Sequence, residues 1–400
     1  MKVLYFTVED INSGLFDSQV LNTIVGIKKA NPDIDITVLV INQPWKYLKA
    51  KAKFEQIRNA GIGLIYLPFL PPLRWISSGS FYTNIYLSYF WAVLKIFVNF
   101  KKFKLVHCRN YVPALVIRKF GNLNFLFDVR SLYAFEYVQA GKIVFNSQNY
   151  MYWLENERKL IQDAASVSVV SKGMVPYLQK IVNRPVDYCP IISNYEIVYY
   201  DAQSRNMVRT SLGWNDCNIY VYSGSFGLYG LNKSYLARLI VRIIEKDSKA
   251  RFLFLISNPL SDFQSFLHEY DFSEVLFYAK SVKFTELTAF LSAADIGIHA
   301  LPEQLDSFTR LGTKVVEYWS AGLPVIINEN IGEAALICRK FGLGKVISLE
   351  HEQDIALNNL DIENVLKLDR IEIIEKTRKI FSSSVVAEDY GEIYRRFEYL

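Results

Sequence analysis

Short apolar runs rich in β-branched and aromatic residues recur along this chain with helical patterns between them, and midway the series stops and begins again. The first series occupies residues 2–8, 36–41, 62–68, 104–109, 125–130 and 166–171, each bounded by polar or turn-forming residues as a strand would be. The clearest of the intervening helices is 150–165, with apolar or aromatic residues at 150, 153, 154, 160, 161 and 164 and charges between them. Such alternation predicts parallel sheets flanked by helices, the doubly wound class. After an irregular passage at 185–201 and a polar helix near 204–212, a second series follows at 218–223, 251–256, 275–278, 296–301, 325–328 and 345–348. The expected fold is therefore α/β, two doubly wound Rossmann-like domains facing across a cleft. The domains are placed at 1–190 and 191–384, with a last amphipathic helix at 385–400. Ligands of such sheets bind beyond the carboxyl ends of the strands, so the loops there are where chemistry is sought.

Size and composition agree with a large enzyme and exclude other classes. A chain of 400 residues has room for two or three domains, and 51% hydrophobic with 21% charged residues supplies two cores. A net charge of +5 is too even to point to nucleic acid. Cys108, Cys189, Cys217 and Cys338 have neither metal-site nor redox-motif spacing and read as reduced thiols of a cytoplasmic protein. The opening MKVLYFTVED meets acidic residues too early for a signal peptide and reads as a strand.

Aromatic residues, 15% of the chain, concentrate in the first half. Residues 81–100 are long enough to span a bilayer, but Asn84, Ser88, Lys95 and Asn99 interrupt them, and Lys101, Lys102 and Lys104 follow. Three readings are weighed: a helix packed on the sheet whose outer side also touches the inner membrane surface, a fully buried helix with a solvated lysine cluster, and, weakest because a strand-like segment at 104–109 follows at once, a transmembrane span.

The richest segment for chemistry is 306–333. Gly312-Thr313-Lys314 lets a loop approach a ligand closely and then opens a helix, directing free amides and the positive end of the dipole at an anion. Glu317 lies one turn on, on the face of Thr313, where a carboxylate can accept hydrogen bonds from ribose hydroxyls. Gly322 and Pro324 end the helix before Val325-Ile326-Ile327. An ordinary helix with an idle glutamate fits the same residues.

This segment resembles the nucleotide-sugar motif of retaining glycosyltransferases of the GT-B type, in particular glycosyltransferase family 4. There two glutamates separated by seven positions flank a Phe-Gly turn; the second holds the donor's ribose and the turn's amides its phosphates. Glu317 matches the second glutamate and Gly312 the turn glycine, while Thr309 stands at the first glutamate and Leu311 at the Phe. The run Thr309, Lys314, Glu317, Tyr318, Gly322, Pro324, Val325 and Ile326 follows a polysaccharide-biosynthesis branch of that family. The resemblance implies a donor site made of Gly14, Gly224, Ser225, Thr309, Arg310, Gly312, Thr313, Lys314 and Glu317. Further, it implies that the final helix crosses back to pack on the first domain.

Other strand-end loops fill in the expectation. Gly14, after the first strand, matches a family glycine loop, though a plain turn fits equally; Ser18 opens the next helix and is placed toward the acceptor. His107, in the fourth strand, resembles the family histidine that contacts the transferred sugar, often through its backbone carbonyl; a core histidine is the alternative. Arg109 beside it suits an anionic or hydroxyl-rich substrate. Arg130, in Asp128-Val129-Arg130-Ser131, holds an acceptor phosphate or pairs internally with Asp128 or Glu136. In the second half Gly224, Ser225 and Gly227 precede Lys233, which matches the family's diphosphate-holding cation, with Arg310 or Lys314 as substitutes. Ser257-Asn258 and Tyr278-Ala279-Lys280 are expected to flank the base.

The implied function is transfer of a hexosyl or hexosaminyl unit, with retention and without metal, from a UDP-linked donor to a glycan or lipid-linked acceptor in surface-polysaccharide synthesis. The expected catalytic residues are His107, Lys233 and Glu317, with Ser18, Arg109, Arg130 and Glu136 at the acceptor. No cofactor is expected beyond the nucleotide-sugar co-substrate, and no nucleic-acid partner. The expected location is the cytoplasm, peripheral at the inner membrane face. Alternatives are a nucleotide-sugar epimerase of similar fold and a catalytically degenerate partner subunit.

Overall fold

A computed structural model describes residues 1–68, 81–119, 123–224, 233–256, 259–299, 301, 305–347 and 360–398, with backbone alone for 81–86. The chain divides into two compact units, Met1–Ile192 with Ser383–Leu400, and Ser193–Ser382. The division falls two residues inside the second domain expected from the sequence, at each end, for a local reason. Ile192 belongs to the first core, whereas Ser193 N–H donates to the Phe381 carbonyl at 2.8 Å and its hydroxyl meets that of Ser320 at 2.6 Å.

The first unit is built on seven strands, β1 (Lys2–Thr7), β2 (Asp35–Asn42), β3 (Gly63–Pro68), β4 (Leu105–Arg109), β5 (Phe125–Val129), β6 (Ser166–Val169) and β7 (Asp187–Tyr188). They pair in parallel in the order β3-β2-β1-β4-β5-β6-β7. β7 lies in the passage read as irregular, because two residues are too few to show a period. β4 and β5 are buried throughout, as strands covered on both faces must be. Val3 and Tyr5 face one layer, with the helix Asn22–Ala30 and the last helix, Ser383–Arg395. Phe6 faces the other and meets Phe90 of the helix Phe81–Phe97 with ring centroids 6.5 Å apart.

The last helix does pack on the first unit. Val386, Ala387, Tyr390, Ile393, Tyr394 and Phe397 join its core. Asn31 Nδ2 donates to the Ala387 carbonyl at 3.0 Å, and a Cβ at Gly391 would stand 2.0 Å from Asn31 Oδ1. Only glycine allows that approach.

Six parallel strands make the second sheet: β8 (Asn218–Gly224), β9 (Ala250–Ile256), β10 (Phe277–Lys280), β11 (Ile296–His299), β12 (Val325–Asn328) and β13 (Gly344–Ile347). Their order is β10-β9-β8-β11-β12-β13. β10 begins later than the sequence suggested, because Glu274–Leu276 forms a 3-10 turn ahead of it. Tyr220, Phe252 and Phe277 stack across one face, at 5.6 and 5.1 Å between neighbouring rings, over Leu236, Ile240 and Ile243 of the helix Lys233–Lys246. In the other layer Trp319 of the helix Thr313–Ser320 stacks on Phe381 at 6.0 Å.

In each sheet the strand order reverses beside the first strand, between β1 and β4 and between β8 and β11. Those two reversals open the crevices in which doubly wound sheets hold ligands. Among the described residues no helix is long and apolar enough to cross a membrane.

Candidate functional site

In the second unit the crevice is lined by the ends of β8 and β11 and by the helix Thr313–Ser320. Gly312 precedes this helix at φ 45°, and no side chain caps its first turn, which leaves the leading amides for an anion. A Cβ at Gly312 would lie 2.7 Å from His299 Nε2, so glycine is required by a close neighbour as well as by its backbone angle. Glu317 is buried. Its Oε2 accepts from Lys314 Nζ at 2.8 Å, while its Oε1, also buried, has no hydrogen-bond partner. A carboxylate oxygen enclosed without a donor is costly unless a ligand supplies one.

Tyr318 ties these pieces together. Its hydroxyl accepts the Ser223 N–H at 2.7 Å, and its ring occupies the space a Cβ at Gly297 would fill, 2.5 Å away. The end of β8, the middle of β11 and the helix are thereby held in one arrangement, and burial keeps the phenol well above its ordinary pKa. His299, which the sequence reading passed over, ends β11 with Nε2 buried and unpartnered. Burial, reinforced by the nearby Arg310, pushes its pKa down to about 4, so the imidazole is neutral near pH 7. Asn328, at the end of β12, accepts from Leu301 N–H at 2.9 Å and leaves Nδ2 unpartnered.

Other residues expected at the donor are differently engaged. Thr309 is buried, and its hydroxyl donates to the Asp306 carbonyl at 2.7 Å, closing its own turn. Arg310 pairs with Asp306 at 3.2 Å. Thr313 and Lys314 are partly exposed at the start of the helix. Gly224 ends β8, and Lys233 is the first residue of its helix, half-buried. Ser225 and Gly227 lie outside the described residues, as do Ser257 and Asn258. Tyr278, Ala279 and Lys280 end β10.

In the first unit the polar groups gather where β1, β4 and β5 end. His107 is fully enclosed: its Nδ1 meets Tyr394 Oη at 2.6 Å, its Nε2 lies 3.3 Å from Asp128 Oδ2, and Tyr5 packs on the ring at 4.3 Å. Burial lowers its pKa although Asp128 opposes the shift. This is the surrounding of a core histidine, and the side chain does not face an open space. Asp128 also accepts from Ser168 Oγ at 3.0 Å and Tyr390 Oη at 3.2 Å. Burial alone would raise its pKa, but Arg130 and His107 hold the carboxyl well below the usual range.

Arg130 pairs internally, with Asp128 at 3.5 Å and with Gln19 Oε1 at 3.0 Å. Glu136 accepts from Ser131 Oγ at 2.6 Å. Ser18 is buried, its hydroxyl directed at the Leu15 carbonyl at 3.5 Å. Gly14 stands in open space, with nothing within 4 Å of a Cβ placed there.

Arg109 differs from these. It is 3% exposed, its closest acid is Glu9 at 3.8 Å, and its Nε and Nη1 have no hydrogen-bond partner. Tyr5 Oη, Gln19 Nε2 and the acceptor Asn110 Oδ1 are likewise buried and unpartnered. Gln19 belongs to a single π-helical stretch, Phe16–Leu21, an irregularity common at functional sites. The sequence hinted at Gln19 only through its place after the first strand, and Tyr5 looked like any strand aromatic. Among the described residues no three His, Cys, Asp or Glu side chains are arranged to hold a metal ion.

No protein-family model and no curated protein matches the chain. Solved structures do. Sucrose-phosphate synthase of Thermosynechococcus elongatus is 15% identical and superposes with a TM-score of 0.70 over 99% of this chain and 98% of that one. HepE of Anabaena, solved with UDP and glucose, is 11% identical with a TM-score of 0.66 over 99% of each chain. A Listeria monocytogenes protein described as a UDP-N-acetylglucosamine 2-epimerase is 11% identical, with a TM-score of 0.61 over 100% of this chain and 97% of that one. At such identities the likeness speaks for architecture alone: the chain has the fold of two Rossmann-like domains known as GT-B.

Proposed function

We propose that the chain is a retaining, metal-independent glycosyltransferase of the family 4 type, moving a hexosyl or hexosaminyl unit from a UDP-linked donor to a glycan or lipid-linked acceptor in surface-polysaccharide synthesis. The observation that carries this reading is Glu317 Oε1, buried and unpartnered one turn inside a helix opened by Gly312. A ribose diol supplies the missing donors, and the amides that follow Gly312 meet the diphosphate. Lys233, Lys314 and the Gly224 turn add charge and close backbone approach. The acceptor lies in the first unit, where Arg109, Tyr5 and Gln19 offer unpartnered donors. Asp128 and His107 hold that wall in shape, a positioning role. The acceptor hydroxyl attacks from the leaving-group side and the departing phosphate takes its proton, so the protein's work is orientation and charge stabilisation. A lipid-linked acceptor places the protein at the inner face of the membrane.

Thermal shift and calorimetry with UDP, GDP, ADP and CMP, with and without magnesium, test the donor site. Selective stabilisation by UDP, indifferent to magnesium, is the expected result. A strict magnesium requirement overturns the metal-free mechanism. No response to any nucleotide transfers the weight to a degenerate subunit, a reading favoured by Thr309 spending its hydroxyl on its own turn. The fold shared with the Listeria protein keeps epimerisation as a second reading. An epimerase converts the nucleotide sugar with no acceptor present, whereas the proposed enzyme leaves it intact.

A further inference from the structure

The near-neutral total charge hides a segregation. Between Asp35 and Asp128 the chain holds 13 Lys and Arg but one acidic residue, Glu55; the rest of the molecule is net acidic. Within this stretch lies the helix Phe81–Phe97. Its inner side, Leu87, Phe90 and Leu94, is 1, 3 and 0% exposed, while Tyr89, Ile96 and Phe97 are 59, 77 and 62% exposed. A surface helix ordinarily turns charges of both signs outward. Here the exposed part of the described side chains has Lys95 as its only charge, with Nζ 4.9 Å from the centre of the Trp91 ring. Directly beyond, Phe100 is buried and anchors the turn Phe100–Lys102, and Lys101, Lys102 and Lys104 are exposed.

We propose that this helix end and turn dock the first unit on a bilayer surface rich in anionic phospholipid. The inference deepens the reading of a lipid-linked acceptor and rests on it for its purpose. Ile96 and Phe97 enter the boundary between headgroups and acyl chains, and the three lysines after them reach lipid phosphates. The chemistry favours lipid over a protein partner, because lysine is depleted from the buried parts of protein interfaces whereas clustered lysines beside exposed apolar groups match an anionic membrane. No acid on the exposed helix repels such a surface.

The test is co-sedimentation of the full chain, without nucleotide, with vesicles of phosphatidylcholine alone or of equal phosphatidylcholine and phosphatidylglycerol. Binding to the anionic vesicles only, weakened by salt, is expected. The triple variant Lys101→Gln, Lys102→Gln, Lys104→Gln should lower the partition coefficient about 100-fold, and Ile96→Ser with Phe97→Ser about 10-fold or more. Unchanged melting temperature and UDP response in both variants show that they fold, and keep a failure here distinct from a failure of the donor site. Equal binding to both vesicle types, binding to neither, or binding unmoved by these substitutions overturns the proposal. So does loss of binding on Trp45→Ser with Leu48→Ser alone, since those exposed residues follow β2, at the carboxyl end of the sheet. A dimer in solution that the Ile96 and Phe97 changes dissolve also overturns it.

Discussion

The two units end their sheets in polar clusters whose open groups differ in kind: mostly donors in the first, a mixture that includes a carboxylate oxygen in the second. In the first, the groups left without partners are mainly donors: Arg109 Nε and Nη1, Gln19 Nε2 and the Tyr5 hydroxyl. In the second, a carboxylate oxygen, Glu317 Oε1, stands unpartnered, with His299 Nε2 and Asn328 Nδ2 also open. The two buried histidines differ in their neighbours. His107 meets Tyr394 through Nδ1 at 2.6 Å and has the Asp128 carboxylate 3.3 Å from Nε2, whereas His299 Nε2 lies against Gly312. Two sheets with the same order of their first six strands thus end in differently equipped clusters, and under the proposed function the donors of the first suit an oxygen-rich or anionic group and the carboxylate oxygen of the second suits hydroxyls.

The comparison breaks most readily at Glu317. Glu317→Ala should weaken UDP binding about 100-fold, as loss of charge-assisted hydrogen bonds of about 1.5–3 kcal/mol implies. Lys314→Ala should weaken it only a few-fold if the helix amides hold most of the phosphate. Calorimetry on both variants decides, and equal, negligible effects would sink the assignment.

Next in size is the acceptor side. Arg109→Met should lower kcat/KM for an anionic acceptor about 10-fold or more and leave the affinity for UDP as it was. A matching loss of UDP affinity would erase the division of labour between the units. Since a buried guanidinium is being removed, circular dichroism and thermal melting should accompany the kinetics.

A third comparison sets one glycine against the other. Gly312→Ala forces a side chain into a left-handed angle, costing about 1–2 kcal/mol, and against His299. The melting temperature should fall, with partial recovery in the double variant His299→Ala. Gly14→Ala meets open space and should leave the melting temperature unchanged; reduced turnover in that stable variant would assign Gly14 to ligand approach rather than to a turn.

The smallest effect concerns pH. Both histidines have pKa values lowered by burial, His299 to about 4. For a depressed pKa the unfolded chain binds the proton first, so their contribution to stability is present above the ordinary value, about 6.5, and is lost as pH falls toward the folded value. Urea midpoints should therefore drop between pH 7 and pH 5, and His299→Asn should flatten part of that drop. An identical slope in the variant would show that His299 is not the group titrating.

How much of this was legible in the sequence depended on whether the information was local. Period and strand length are local properties, so alternating elements, the restart near residue 218 and the helix opened by Gly312 could be read directly. β7, with two residues, and the 3-10 turn at Glu274–Leu276 could not, because neither is long enough to impose a period. Glu317 was legible because its partner Lys314 and the glycine before the helix lie within one turn of chain. Tyr5, Gln19, Arg130 and Asp128 come together across more than a hundred residues. No spacing rule announces such a meeting.

His107 shows the limit most directly. From its place in a strand ahead of a polar loop it was a candidate for contact with substrate, with a core role as the alternative. Its surroundings depend on Tyr390 and Tyr394, brought to it by the last helix. Composition, periodicity and the motif around Glu317 by themselves determined the class of fold and a helix opened by Gly312 that carries Glu317, because those follow from residues near one another in the chain. Tertiary structure alone decided which buried polar groups are satisfied and which stay open, since that depends on partners supplied by distant segments.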